Sequence, residues 1–238
     1  MPEASPVKPV ALITGVGPDT GSALARRFTR AGYAVAMLAR DASRLAELEA
    51  ELPDAKGFIC DVAEKDQIDA TVAAVRQSMG KPEVLIHNAV GGGWGSFLEI
   101  KPEMLNRNFQ INTMALLHLA QALAPNMIAA GRGAIVATGN TSAIRGRANF
   151  AGFAPTKAAQ RILAEAMARD LGPKDVHVAY VLIDAVIDVP WARAAMPEKP
   201  DAFFVRPADI ADEVAHVVAQ PRSAWSFNVE IRPFGEVW

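Results

Sequence analysis

Short apolar runs alternate along this chain with longer amphipathic ones. Pro9–Thr14 is apolar and ends at a glycine, and Thr20–Ala31 then carries Ala23, Leu24, Phe28 and Ala31 at helical spacing before Gly32 stops it. The alternation continues to the end. Strands are predicted at Tyr33–Leu38, Gly57–Cys60, Glu83–His87, Ala134–Thr138, Val176–Ile183 and Ser226–Ile231. Helices are predicted at Ala42–Leu52, Lys65–Met79, Pro102–Ala130 (interrupted near Asn112), Asn149–Leu171 and Ala208–Ala219. The strands are apolar throughout rather than at every second position, which means that both faces are covered, as in parallel sheets flanked by helices. Strand–helix alternation implies crossover units and a doubly wound sheet. The expectation is one α/β domain over residues 1–238, with about seven parallel strands and helices on both faces. Ligands then belong at the carboxyl ends of the strands, where strand order reverses.

Composition narrows the class. Half of the 238 residues are hydrophobic, which excludes a disordered chain and supplies a large core. A net charge of −2 gives no basic surface for nucleic acid or an anionic membrane. No wholly apolar run approaches the ~18 residues of a membrane span. Met1–Val10, with three prolines and mixed charges, lacks the apolar stretch of a signal peptide. A cytoplasmic protein is expected. The single Cys60 excludes an internal disulfide and a multi-cysteine metal site and suits a reducing compartment, so no metal is expected.

The candidate chemistry lies in the loops after the strands. Gly15, Gly17 and Gly21 in Thr14-Gly15-Val16-Gly17-Pro18-Asp19-Thr20-Gly21 let the backbone turn tightly and approach a pyrophosphate, which the next helix attracts with its free N–H groups. The same glycines also suit an ordinary strand-to-helix turn. Asp19 is expected to cap that helix. After the second strand stands Arg40, suited to a 2′-phosphate or simply solvated, and Asp41 is a ribose ligand if the register slips. Asp61-Val62 follows the third strand, Asp61 reading also as a helix cap. His87 ends the fourth strand, followed by Asn88-Ala89.

These motifs, in this order, resemble the short-chain dehydrogenase/reductase family over about residues 8–232. Thr14, Gly15 and Gly21 match the ends of its glycine loop, with Asp19 in place of the middle glycine. Asp61, Asn88, Ala89, Asn112 and Lys157 match its further positions. The resemblance implies a Rossmann-type domain that binds a nicotinamide dinucleotide, NADP ahead of NAD because of Arg40. Its cofactor contacts fall on Gly15, Gly17, Asp19, Thr20, Gly21, Arg40, Asp61, Val62, Asn88, Ala89 and Lys157, and on Ile183 and Val186 after strand six. It implies a catalytic set of Asn112, a serine position at Asn140 (or Thr141 or Ser142 on a slip of register), a tyrosine and Lys157. It also implies a homodimer or homotetramer paired through the two long helices, for which Ala115, Leu116, Leu119, Ala120 and Leu123 offer close-packing faces.

The tyrosine position holds Phe153, which has no proton to give. Of the two tyrosines, Tyr33 stands at the far end of the sheet and Tyr180 lies inside strand six. The remaining proton donors are Lys157, Thr141, Ser142, Asp184, Asp188 or water, and losing a positioned acid forfeits about 10²–10⁴-fold in rate. The substrate region, about 184–206, includes Trp191, Met196, Phe203 and Phe204 as an apolar cover for a small, fairly apolar carbonyl or alcohol. Three readings follow: an NADP(H)-dependent oxidoreductase with a substitute donor, a nicotinamide-binding protein with little chemistry, or a non-redox enzyme on the same fold. The C-terminal Trp238 is expected to dock on a neighbour.

Overall fold

A computed structural model describes residues 8–236, so the N-terminal segment and Trp238 lie outside the described residues. Seven parallel strands form the central sheet in the order β3-β2-β1-β4-β5-β6-β9. They are β1 (Val10–Thr14), β2 (Ala34–Ala39), β3 (Ala55–Ile59), β4 (Pro82–His87), β5 (Ala134–Asn140), β6 (His177–Ile183) and β9 (Asn228–Ile231). Strand order reverses between β1 and β4, which opens a crevice at their carboxyl ends. A small second sheet pairs β7 (Val186–Ile187) with β8 (Phe204–Val205), a pair too short to be legible as strands.

The doubly apolar strands face two cores. In β1, Leu12 points to one and Ile13 to the other, as the strand period of two requires. One core packs the sheet against α3 (Lys65–Ser78), α5 (Ala115–Ala130) and α6 (Ala154–Leu171) through Ile68, Val72, Leu119, Leu123 and Leu171. The other uses α1 (Thr20–Arg30), α2 (Ala42–Glu51) and α8 (Pro207–Val218) through Leu24, Phe28, Leu48 and Val214. Ala115, Leu116, Leu119, Ala120 and Leu123, expected to face a second copy, are all buried in this chain's own core. Their apolar stripe therefore serves the sheet.

The long helix starts as α4 (Pro102–Phe109), passes through a π-turn at Gln110–Met114 that holds Asn112, and continues as α5. This 102–130 run is the one among the described residues long and apolar enough to cross a membrane, and its α5 half is packed against the sheet. The second long helix starts later than its periodicity suggested: Asn149 and residues 151–153 are turns, Phe150 forms a β-bridge with Gly95, and α6 begins at Ala154 with Pro155 in its first turn. Proline has no N–H and a fixed φ, which suits a first turn and not a helix interior.

Candidate active site

One cavity of about 880 Å³ opens at the carboxyl edge of the sheet, over the point where strand order reverses. Its first wall is the glycine loop. Gly15 sits at φ +68°, where a Cβ would lie 2.5 Å from Ala89 Cα, and a Cβ on Gly21 would lie 2.3 Å from the Gly15 carbonyl oxygen. These two glycines are needed by the fold itself. A Cβ on Gly17 would meet nothing within 4 Å, and Gly17 lines the cavity. The loop is thus close-packed at both ends and open in the middle, next to the amides of Thr20 and Gly21, which start α1 and have no intrahelical acceptor. Asp19 also lines the cavity, but its side chain makes no cap hydrogen bond; its backbone (φ −102°, ψ −112°) departs from the extended geometry of a capping residue.

Arg40 lines the cavity with no hydrogen bond or ion pair among the described residues. Asp41 lines the cavity as well and caps α2, its Oδ1 accepting from the amides of Ser43 at 3.0 Å and Arg44 at 3.1 Å. Asp61 is not a helix cap, because α3 starts four residues later behind Glu64. Its carboxylate accepts from the Ala63 amide at 3.0 Å and from Arg107 of α4 at 2.6 Å. Burial works to raise the Asp61 carboxyl, but these two donors outweigh it and hold it below the usual carboxylate range. Val62 and Ala89 complete this wall.

His87 and Asn88 brace the loop. The Ile111 carbonyl can only accept, so His87 Nε2–H donates to it at 3.0 Å and Nδ1 accepts the Thr14 hydroxyl at 3.1 Å. Thr14 Oγ1 then accepts from the amides of Asn88 at 3.2 Å and Ala89 at 3.1 Å. Burial, then the nearby Lys157, push His87 down to about 4, so the ring is neutral and structural, as its place at the strand end suggested. Asn88 donates to the Gly15 carbonyl at 3.0 Å and accepts from Thr138 Oγ1 at 3.0 Å.

Lys157, on α6, lines the cavity. It is 2% exposed and no carboxylate pairs with it. Its ammonium donates to the Thr138 carbonyl at 3.0 Å and to Gln160 Oε1, leaving one of three N–H groups uncommitted. Burial pushes its pKa down to about 7. Gln160, fully buried, also donates from Nε2 to the Asn112 carbonyl at 2.7 Å. Asn112 does not line the cavity; its side chain clamps Gly91 N (2.9 Å), Gly91 O (2.9 Å) and Thr156 Oγ1 (2.8 Å). So Asn112 and Gln160 form a rigid bracket behind Lys157. Gln160 was missed by sequence reasoning; the only signal was a polar residue three positions after Lys157 on a buried helix face. Tyr180 belongs to the same bracket, its hydroxyl donating to Gln160 Oε1 at 3.4 Å, and burial pushes its phenol up.

Phe153 is buried just before α6 and does not line the cavity. The aromatic faces there belong instead to Phe150 and Trp94, packed edge to face with centroids 4.4 Å apart. Asn140, Thr141 and Ser142 line the cavity where β5 ends, and Asn140 Oδ1 accepts the Ser142 amide at 3.1 Å. Ile183 and Val186 line the opposite edge.

Both loop aspartates, expected as possible replacement acids, are held in ion pairs. Asp188 holds Arg193 with both oxygens, at 2.6 and 2.9 Å, and that guanidinium keeps it below the usual range. Asp184 lines the cavity but is paired with Arg232 at 3.1 Å and Arg145 at 3.6 Å. Of the apolar cover, Trp191 and Met196 line the cavity, while Phe203 and Phe204 pack on each other beneath α7 (Pro190–Ala195). Arg145, Arg147 and the distant Glu236 also line it, and none of them stood out in the sequence.

Comparison with known proteins agrees with this geometry. A family model described as short chain dehydrogenase matches residues 9–195. D-erythrulose reductase from Gallus gallus is 36% identical over 198 residues, spanning 82% of this chain and 79% of the relative. L-xylulose reductase from Bos taurus is 30% identical over 212 residues, spanning 87% and 85%. The crystal structure of a metagenomic short-chain oxidoreductase in complex with NADP superposes with a TM-score of 0.82 at 30% identity, covering 94% of this chain and 97% of that one.

Proposed function

The chain belongs to the short-chain dehydrogenase family, and from that premise we propose that it is an NADP(H)-dependent oxidoreductase interconverting a carbonyl and an alcohol, with Lys157 moving the proton that a tyrosine moves in its relatives. The observation that carries this reading is the Lys157 ammonium: buried, lining the cavity, unpaired with any carboxylate, and poised near neutral pH. A general acid works best when its pKa lies close to the working pH.

The residues present fit the cofactor. The open space over Gly17 and the amides of Thr20 and Gly21 suit a pyrophosphate, and the unpartnered Arg40 suits a 2′-phosphate. The NADP complex of a similar structure supports the same choice. When bound, NADPH supplies the hydride. Lys157 then gives its proton to the carbonyl oxygen as the alcohol forms, and regains one from water entering the open cavity. In the oxidative direction the neutral amine accepts the hydroxyl proton. The Asn140 side-chain amide, whose oxygen is already occupied by Ser142 N–H, offers its NH₂ to the same substrate oxygen. The Thr138 carbonyl and Gln160 hold the lysine in place.

The test is a fluorescence titration with NADPH and NADH, followed by carbonyl-dependent NADPH oxidation in wild type and Lys157→Met. Uptake of NADPH with turnover that the variant loses is the expected result. No uptake of either reduced coenzyme at millimolar concentration ends the proposal. The lack of a phenol at Phe153 favours a second reading, a nicotinamide-binding protein with little chemistry; tight uptake with no turnover on a broad carbonyl panel decides for it.

A further inference from the structure

The strands on one side of the sheet divide the coenzyme site between them. The glycine loop follows β1 and Arg40 follows β2, and β3 is the next strand outward. A dinucleotide with its pyrophosphate on the loop and its 2′-phosphate at Arg40 therefore brings its base to the end of β3, two strand spacings or about 10 Å from β1. Asp61 and Val62 line the cavity there. Val62 offers an apolar surface to the ring, and Asp61 offers a carboxylate whose side chain is 22% exposed. A carboxylate accepts hydrogen bonds and does not donate. The 6-amino group of adenine is a donor.

That carboxylate is held from outside the cavity. Arg107, on α4, does not line the cavity and is half exposed. Its Nη2 donates to Asp61 Oδ2 at 2.6 Å, and its Nη1 lies 3.9 Å from Glu64, so the guanidinium sits between two acids. Asp61 Oδ1 accepts from the Ala63 amide at 3.0 Å, and the Asp61 amide donates to Gln67 Oε1 at 2.8 Å. Each carboxylate oxygen has one partner and keeps a lone pair for another. Held at both oxygens, the group cannot turn about its last bond without breaking a contact. Without Arg107 only the Ala63 amide restrains it. Burial works against the charge, but the Ala63 amide, Arg107 and the nearby Arg40 outweigh it, so the acceptor stays ionised at neutral pH.

We propose that Arg107 is a positioning residue for coenzyme recognition: it fixes the plane of the Asp61 carboxylate so that a free lone pair meets the 6-amino group of the adenine. The inference rests on the coenzyme reading above and adds to it a residue that touches neither coenzyme nor substrate. An acceptor oriented before binding loses less freedom when the base arrives, so its hydrogen bond contributes more to affinity.

Two coenzymes test this: NADPH and its 6-deamino analogue, in which hypoxanthine carries a carbonyl oxygen in place of the amino group. Each is titrated by nicotinamide fluorescence into the full chain, as wild type, Arg107→Ala, Arg107→Lys, Asp61→Ala and the double variant Asp61→Ala/Arg107→Ala. Wild type is expected to prefer NADPH by about tenfold or more, the scale of one hydrogen bond to a charged group. Arg107→Ala is expected to cut that ratio about threefold or more, and Arg107→Lys, which keeps the charge and a donor, to restore part of it. In Asp61→Ala the preference is lost, and adding Arg107→Ala changes the ratio no further, because Arg107 acts only through Asp61. The ratio is the readout, since loss of a positive charge or of a surface contact weakens both coenzymes alike. A wild type that does not distinguish the two coenzymes overturns the proposal. So does a ratio that Arg107→Ala leaves unchanged, or one that it lowers equally with and without Asp61. Failure of wild type to take up either coenzyme sinks the coenzyme reading as well, whereas normal uptake with an unaltered ratio sinks this inference alone.

Discussion

Replacing Lys157 with methionine tests the central claim without any substrate. Burial lowers the lysine pKa from 10.5 to about 7. At ~1.36 kcal/mol per pKa unit, this is ~5 kcal/mol of preference for the neutral amine inside the fold. The sign follows from proton counting. Between pH 7 and 10.5 the unfolded chain holds a proton that the folded chain has released, so unfolding becomes harder as pH rises through that window. Below pH 7 both states are protonated, and the whole cost weighs on the native state. A compact denatured state reduces the effect, leaving about 2 kcal/mol of gain between pH 7 and 9 in wild type. Lys157→Met, similar in length and apolar, should be more stable at neutral pH and should lack this gain. Urea unfolding of the cofactor-free protein at pH 6–9.5, followed by tryptophan fluorescence, measures both curves, with constant slopes as the check that one transition is being compared. Parallel curves for the two proteins would refute the buried, near-neutral lysine and with it the proposed proton donor. The kinetic counterpart is a reductive kcat/KM that is flat below pH 7 and falls about tenfold per pH unit above it.

Gln160→Glu places a carboxylate against the Lys157 ammonium, and the alkaline limb of that profile should move up by about one pH unit or more; an unmoved limb denies Gln160 its positioning role. Gly21→Ala drives a Cβ into the Gly15 carbonyl and should unfold or severely destabilise the protein, whereas Gly17→Ala should fold normally and weaken NADPH uptake, as thermal melts and fluorescence titrations will show. Arg40→Ser should lower the ratio of NADPH to NADH affinity by about 10–100-fold, the worth of charged hydrogen bonds to a phosphate; an unchanged ratio places the 2′-phosphate elsewhere. Phe153→Tyr should raise turnover less than about tenfold, because this side chain does not line the cavity; a gain near a hundredfold would show that the ring does reach the reacting centre.

Much of this protein was legible before folding because the signals are local. Doubly apolar strands, helical spacing and stop glycines act over a few residues, and they pointed to about seven parallel strands alternating with helices along the chain. Gly15 and Gly21 marked the loop because a tight turn admits nothing larger. Lys157 and Asn112 stood out because they match positions of the family that the chain resembles. Local reading failed where a side chain had a choice of partners. Asp19 and Asp61 read as helix caps in the sequence, yet neither caps a helix, and Asp41 does.

The chain by itself determined the architecture and the place of the nucleotide loop, since those depend on periodicity and backbone sterics. Only the tertiary structure decided which charges cancel and which remain. Arg107 reaches Asp61 across 46 positions, Arg232 reaches Asp184 across 48, and Gln160 reaches the Asn112 carbonyl across 48. Such pairs leave no periodic trace, because an ion pair needs proximity in space and not spacing in sequence. The same holds for burial: Lys157 is an ordinary lysine in the sequence and a near-neutral acid only once the surrounding helices and strands exclude water from it.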